Sequence, residues 1–405
     1  MPDHKNDSYE YRSLNASRRQ PQCLPQMSLM FLKTHKSGST TLIATFQKYA
    51  YLNKLLMMVP RTNNNMYNWP MEFRPNKDNM KSPTHTKFDM LVNHIIFNKT
   101  SINKLMKAQT KFVTILREPL FHLRSAFDYF NLNKNHRLGK GKAAMELFLS
   151  DPDEYDKLPF WMDNIVYFAN NRINSMTRNL QSADLGLSYW DFDNEDIVQS
   201  FVKAVLDEFH FILILERLEE SLVLFRRVMC WEMKDIMFIK KNVNPKHEYR
   251  VEDLSLQSRI NAYKWNNVDL MLYREATSKL DQLLSEEPDI YDEIEVYRKL
   301  RHSITKYCVE GILYKHVKDP LVIPAGRWNT EIIVDSTYCA LLLLDERDMT
   351  HVFKCLQYPW HTDCQGKSGA RFQQIQDMIE GAQDFEEFPC QQENLAQNNH
   401  TQYNR

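Results

Sequence analysis

Residues 33–41 read Lys-Thr-His-Lys-Ser-Gly-Ser-Thr-Thr, and few other side-chain sets are as well suited to holding an anion. Lys33 and Lys36 supply cations. Thr34, Ser37, Ser39, Thr40 and Thr41 supply hydroxyl donors, and His35 adds an imidazole. Gly38 is the first glycine of a chain that has only nine. Glycine tolerates positive φ and lets backbone approach a ligand closely. The pattern predicts a cradle for a phosphate or sulfate group. A nucleotide-kinase loop would read Gly-x-x-x-x-Gly-Lys-Ser/Thr. Here Ser39 follows the glycine and both lysines precede it, which argues against ATP or GTP. The plain alternative is a lysine-rich surface turn, and the flanking sequence described below disfavours it.

Two further sets have chemical potential. Arg117 and Ser125 are eight positions apart across a strand end and a helix start. A guanidinium holds a phosphate through two parallel hydrogen bonds, and a hydroxyl supplies a third. The competing reading pairs Arg117 with Glu118 or Asp128. His94, in Val-Asn-His-Ile-Ile-Phe-Asn, closes an apolar run. Its ordinary pKa near neutrality suits a general base, although a hydrogen-bonded core histidine fits the same context. His35 is the second candidate base; the lysines on either side favour its neutral ring.

These residues need elements to position them. Leu29–Leu32 reads as a buried strand. Leu42, Phe46, Tyr49 and Asn53 recur at helical spacing just after the loop, so the cradle lies between a strand and a helix N-terminus. Backbone N–H groups and the helix dipole favour an anion at that position. Lys111–Leu116 is a second clear strand, β-branched and apolar. It ends at Arg117-Glu118-Pro119, with the proline suited to a first helical turn. Phe88–Phe97 and Phe209–Leu215 complete the apolar runs. Ser101–Gln109 reads as a short helix capped by Ser101, and 255–305 reads as mostly helical. Strands alternating with helices predict an α/β fold, a three-layer sandwich around a mostly parallel sheet. Open sheets of this kind bind ligands beyond the carboxyl ends of their strands, where Arg117 falls.

The remainder is less patterned. Residues 1–26 read as a disordered, stem-like arm. The Asn- and Pro-rich stretch 60–87 reads as a long excursion. The main domain is expected over 27–310. A C-terminal extension is expected over 311–405, disordered from about 390.

The chain has 405 residues, 43% hydrophobic and 25% charged, with net charge −1. That balance provides a real core and no global field for nucleic acid. Tyr338–Leu344, the most apolar stretch, is far too short to span a bilayer. The seven cysteines form no Cys-x-x-Cys pair, which disfavours zinc, and no carboxylate cluster calls for another metal. Five cysteines lie beyond position 300, a clustering compatible with disulfides, with an odd one left over. Asn-x-Ser/Thr triplets at Asn6, Asn15, Asn98 and Asn399 are compatible with the secretory pathway.

Residues 31–41 resemble the 5′-phosphosulfate loop of the Golgi galactose-3-O-sulfotransferases, galactosylceramide sulfotransferase among them. Residues 111–119, continuing through Ser125-Ala-Phe-Asp-Tyr, resemble that family's 3′-phosphate segment. Similar stretches follow the same order: Asn93–Asn98, Asp184–Leu187, Glu219–Trp231, and Trp265-Asn266 with Asp269 and Leu272-Tyr273-Arg274. The resemblance runs from about 27 to 280. It implies the sulfotransferase fold, which is P-loop-like, and the donor 3′-phosphoadenosine-5′-phosphosulfate (PAPS), with no metal required. It also implies transfer of the sulfuryl group to the 3-hydroxyl of a β-galactoside on a glycolipid or glycoprotein glycan. Lys33, Lys36, Ser39 and Thr40 would hold the 5′-phosphosulfate, and Arg117 and Ser125 the 3′-phosphate. With a sugar acceptor implied, the 60–87 excursion and the 131–145 loop are the expected acceptor surface, Tyr67 and Trp69 stacking on a sugar face. The family is type II membrane-anchored with its catalytic domain in the Golgi lumen. This sequence begins about where the stem would lie and shows no anchor of its own. The alternatives are a sulfotransferase with another acceptor, such as a different glycan or tyrosine, and a silent nucleotide- or glycan-binding homologue.

Overall fold

A computed structural model of the chain describes residues 23–62, 65–158, 160–162, 165–167, 175–240, 249–311 and 319–380. The expected arm up to residue 22 and the tail beyond 380 lie outside the described residues, as does Cys390.

The centre is a four-stranded parallel sheet in a mixed α/β fold. Its strands are β1 (Leu29–Leu32), β2 (Met90–Leu91), β3 (Lys111–Leu116) and β4 (Phe211–Ile214), in the order β2-β1-β3-β4. All but Lys111 among these residues are buried, as expected of parallel strands covered on both faces. β2 is shorter than the apolar run Phe88–Phe97 predicts. Beyond Leu91 that run leaves the sheet, and His94 instead exchanges backbone hydrogen bonds with the excursion, at Asn65 (3.3 Å) and Tyr67 (2.9 Å).

Nine helices matter for the site or the packing around it. They are α1 (Ser39–Leu52), α2 (Pro119–Tyr129), α3 (Leu218–Met229), α4 (Leu256–Trp265), α5 (Asn267–Ser285), α6 (Ile290–Lys306), α7 (Ser336–Leu343), α8 (Glu346–Gln357) and α9 (Gly366–Ile379). α2 starts on Pro119 as predicted, with Glu118 as its N-cap accepting from the Phe121 N–H. The helix predicted over Ser101–Gln109 is shorter and earlier, Lys99–Asn103. Its cap is Asn98, whose side chain accepts from the Ser101 N–H. Asn and Ser cap about equally well, and spacing alone did not separate them.

α1 differs from its sequence reading in one respect. Its periodicity predicts one buried stripe, yet Gln47 and Lys48 are also buried. The reason is distant in sequence: α7 and α8 cover the outward face of α1. Gln47 donates to Thr350 Oγ1 (3.1 Å), and Lys48 donates to Tyr338 Oη (2.9 Å) and the Lys234 carbonyl (2.6 Å). Residues of α7–α9 join the same hydrophobic core as the sheet. Disulfides link Cys23 to Cys230, Cys308 to Cys339 and Cys355 to Cys364.

β1 leads through α1 to β2 at one edge, whereas β3 leads through α2 to β4 at the other. Two adjacent strands whose connections leave in opposite directions create a crevice beyond their carboxyl ends. The Gly38 loop follows β1 and Arg117 follows β3, so the topology brings both predicted anchors to this crevice.

Candidate functional site

The loop between β1 and α1 turns through two positive-φ residues, Lys36 (φ 55°) and Gly38 (φ 73°). A Cβ added at Gly38 would meet Leu215 Cδ1 at 2.6 Å, so close packing and dihedral both favour glycine there. Much of the hydroxyl chemistry is turned inward. Thr34 Oγ1 donates to the Ile115 carbonyl (2.6 Å), and the hydroxyls of Ser37 and Ser39 both donate to the Thr34 carbonyl (3.0 Å each). These three residues shape the loop and lash it to β3. Thr40 and Thr41, in the first turn of α1, are half-buried and buried respectively.

A cleft of about 970 Å³ opens at the crevice. Lys36, Gly38, Thr41, Arg117 and Ser125 line it together, so the two predicted anchors meet in one place. Lys36 Nζ lies 3.7 Å above the Tyr129 ring. Burial, then the Arg117 and Lys33 charges, bring its pKa down to about 8. The competing pairing of Arg117 with Glu118 or Asp128 is not formed as a side-chain hydrogen bond. The Arg117 guanidinium donates through Nη1 to the Lys36 carbonyl (3.0 Å), and its buried Nε has no hydrogen-bond partner among the described residues. An unmet guanidinium donor costs free energy until an acceptor arrives.

Lys33 does not line this cleft. Its ammonium is buried against the Glu346 carboxylate of α8. His35 and His94 do not line the cleft either. Their rings stack with centroids 3.8 Å apart, and Trp69 covers the other face of His35 at 4.0 Å. His94 Nδ1 donates to the Lys33 carbonyl (2.9 Å), which fixes its tautomer and leaves Nε2 as the acceptor. Burial, followed by the charges of His35 and Lys33, holds the His94 pKa well below the usual imidazole range. His35 Nδ1 lies 2.9 Å from Asp184 Oδ2, and the His35 backbone N–H donates to the same oxygen (2.6 Å).

Asp184 is the residue that sequence reasoning passed over, although the Asp184–Leu187 stretch carried part of the resemblance. It is buried and also accepts from Trp69 Nε1 (2.8 Å). Trp69 is therefore nearly enclosed beside His35, and Tyr67 is wholly buried, donating to the Met58 carbonyl (2.6 Å). The expectation that these rings stack on a sugar is overturned, because their faces are already covered.

The later motifs support the site from beneath. Asp269 accepts from the N–H groups of Gln181 (3.2 Å) and Ser182 (2.8 Å), anchoring the short helix Leu180–Asp184. That helix delivers Gln181 to the backbone of Arg117 and Asp184 to His35. Asn266 Oδ1 accepts from the N–H of Asn179, just before it (2.9 Å).

Among the described residues, no group of three or more His, Cys, Asp or Glu is placed to hold a metal, and no helix is long and apolar enough to cross a membrane.

The chain is similar to several proteins of known name. Human galactosylceramide sulfotransferase is 30% identical over 255 residues, covering 62% of this chain and 56% of that protein. Galactose-3-O-sulfotransferase 2 of Mus musculus is 27% identical over 362 residues, 83% of this chain and 86% of that one. Human galactose-3-O-sulfotransferase 3 is 27% identical over 259 residues, 63% and 57% respectively. The chain thus spans little more than half the length of several relatives it matches. The family model for galactose-3-O-sulfotransferases matches residues 5–323, and the chain belongs to that sulfotransferase family.

Proposed function

We propose that the protein transfers a sulfuryl group from PAPS to the 3-hydroxyl of a terminal β-galactoside, on a glycolipid of the galactosylceramide kind or on a glycoprotein glycan. The observation that carries this reading is the cleft at the crevice between β1 and β3. It combines Lys36, Ser125 and Arg117 with the N-terminus of α1. These donors suit a nucleotide with two separated anionic groups. Arg117 and Ser125 take the 3′-phosphate. Lys36 and the first-turn N–H groups of α1, with Thr40 and Thr41, take the 5′-phosphosulfate, and Lys33 contributes its charge nearby.

In the reaction, the galactose 3-oxygen attacks sulfur as the bond from sulfur to the 5′-phosphate oxygen breaks. The bisphosphate leaves as an anion, stabilised by the cations already at the site. The hydroxyl proton passes to a histidine Nε2 during attack. We assign it to His35 rather than His94. Asp184 offsets the imidazolium charge that forms on His35, whereas His94 meets a carbonyl and cationic neighbours. His94 stacks against His35 and holds its orientation. The three disulfides favour an oxidising compartment, and the proposed location is the Golgi lumen.

The test is transfer of radiolabelled sulfate from PAPS to galactosylceramide, lactosylceramide and N-acetyllactosamine acceptors, with Lys36→Ala and Arg117→Ala as controls. Labelling of at least one galactoside that both variants lose is the expected result. Labelling of none refutes the acceptor assignment. Binding of the desulfated donor without turnover on any acceptor would identify a silent homologue.

A further inference from the structure

Glu346 is the first residue of α8 and 5% exposed. One of its oxygens takes the Lys33 ammonium, and the other lies 3.4 Å from Asn93 Nδ2. Its carbonyl accepts from Gln47 Nε2 of α1 (3.4 Å) and from Thr350 Oγ1 (2.8 Å), so the carboxylate is held from behind. Lys33 in turn presents its carbonyl to His94 Nδ1. One lysine therefore joins a C-terminal helix, through its side chain, to the histidine pair, through its backbone. Asp345 and Arg347, the neighbours of Glu346, line the cleft itself. The family match ends at residue 323, before any of α7–α9 begins.

We propose that Glu346 is a positioning residue for Lys33, and that the segment 332–379 is a working wall of the catalytic site. This rests on the sulfotransferase reading above. A lysine buried beside the cations of its own loop is stable in one place only where a carboxylate compensates it. Glu346 meets that need across 313 positions of sequence. It sets where the ammonium lies when the phosphosulfate binds, and it holds the β1 end against which His94 is registered.

A double-mutant cycle on the full chain tests this. Glu346→Gln, Lys33→Met and the double variant are compared with the wild type in two assays: kcat and KM for PAPS, and calorimetric affinity for adenosine 3′,5′-bisphosphate. Glu346→Gln is expected to lower kcat/KM for PAPS roughly tenfold in the wild type and less than about twofold in Lys33→Met, since its effect passes through Lys33. Glu346→Asp, which keeps the charge, is expected to recover part of the loss. Equal losses in both backgrounds, or no loss in the wild type, overturn the proposal. Should Glu346→Gln fail to fold, Glu346→Asp with Lys33→Met forms the same cycle. The two levels of failure separate. A wild type that binds the bisphosphate but sulfates no galactoside removes the acceptor reading, and the cycle is then judged by calorimetry with the same criterion.

Discussion

Gln181 holds Arg117 by both of its backbone groups. The Arg117 N–H donates to Gln181 Oε1 at 2.8 Å, and Gln181 Nε2 donates to the Arg117 carbonyl at 2.9 Å. The guanidinium is thereby aimed by a residue 64 positions away that never enters the cleft. Gln181→Leu leaves that N–H and carbonyl unpaired, at a cost of about 1–3 kcal/mol. The expected outcome is affinity for adenosine 3′,5′-bisphosphate weaker by about tenfold, with a lowered melting temperature. Unchanged affinity in calorimetry would show that Arg117 needs no such support.

Lys36 gives donor binding a pH dependence of known sign. In the free protein its pKa is brought down to about 8 by burial and by Arg117 and Lys33, with Asp128 acting the other way. Below that pH the ammonium is present and attracts the anion; above it the free site loses its proton. The second phosphate ionisation lies near 6, so the ligand charge is constant through this window. Affinity for the bisphosphate is expected to be nearly level around pH 7 and to fall by up to about tenfold per unit above pH 8. Lys36→Arg should flatten the curve, because a guanidinium stays charged. A flat wild-type curve between pH 7 and 9.5 would remove Lys36 from the anion site.

Asp184 and His35 make a pair whose loss reads as chemistry and not as binding. In Asp184→Asn an amide oxygen still accepts from the ring, but the charge that offsets imidazolium is gone and the amide competes for the other tautomer. Comparable changes in carboxylate–histidine pairs cost up to about 10⁴-fold in kcat. Here a loss of about a hundredfold or more in kcat is expected, with KM for PAPS changed less than about threefold. A larger effect from His94→Gln than from His35→Gln would transfer the base role to His94.

How much of this could be read in the chain depended on distance. β1, β3 and the start of α2 were legible because a run of apolar residues, one glycine and one proline specify them locally. Arg117 was legible for the same reason, standing at the end of an obvious strand. Asp184 was not, because nothing within ten residues says that its carboxylate will meet His35 across 149 positions. Tyr67 and Trp69 were misread because an Asn- and Pro-rich stretch resembles a surface loop, although here Trp69 packs on His35 and Tyr67 is buried beside Phe73. The burial of the outward face of α1 was not legible without α7 and α8. Gln47 and Lys48 look solvated until helices some 300 residues later cover them.

The attachment of those helices leads to the last prediction. Cys308, just beyond α6, is bonded to Cys339 in α7. It lies at the base of the segment that carries Glu346. Closing a loop of 31 residues restricts the unfolded chain by about 3–4 kcal/mol in the chain-entropy model. Both cysteines are buried, so their replacement by alanine also leaves a small cavity. In Cys308→Ala/Cys339→Ala the segment is still packed on α1 but opens more often, and each opening withdraws Glu346 from Lys33. Hydrogen exchange should therefore quicken in α7 and α8 by at least tenfold while β1 and β3 keep their protection. Turnover should fall only in proportion to the open fraction, and so most near the temperature at which the segment opens. If exchange quickens equally across the sheet, the disulfide stabilises the whole fold and the C-terminal helices do not open as a unit. If exchange in α7 and α8 does not quicken, packing on α1 alone holds the segment and the disulfide does not secure it.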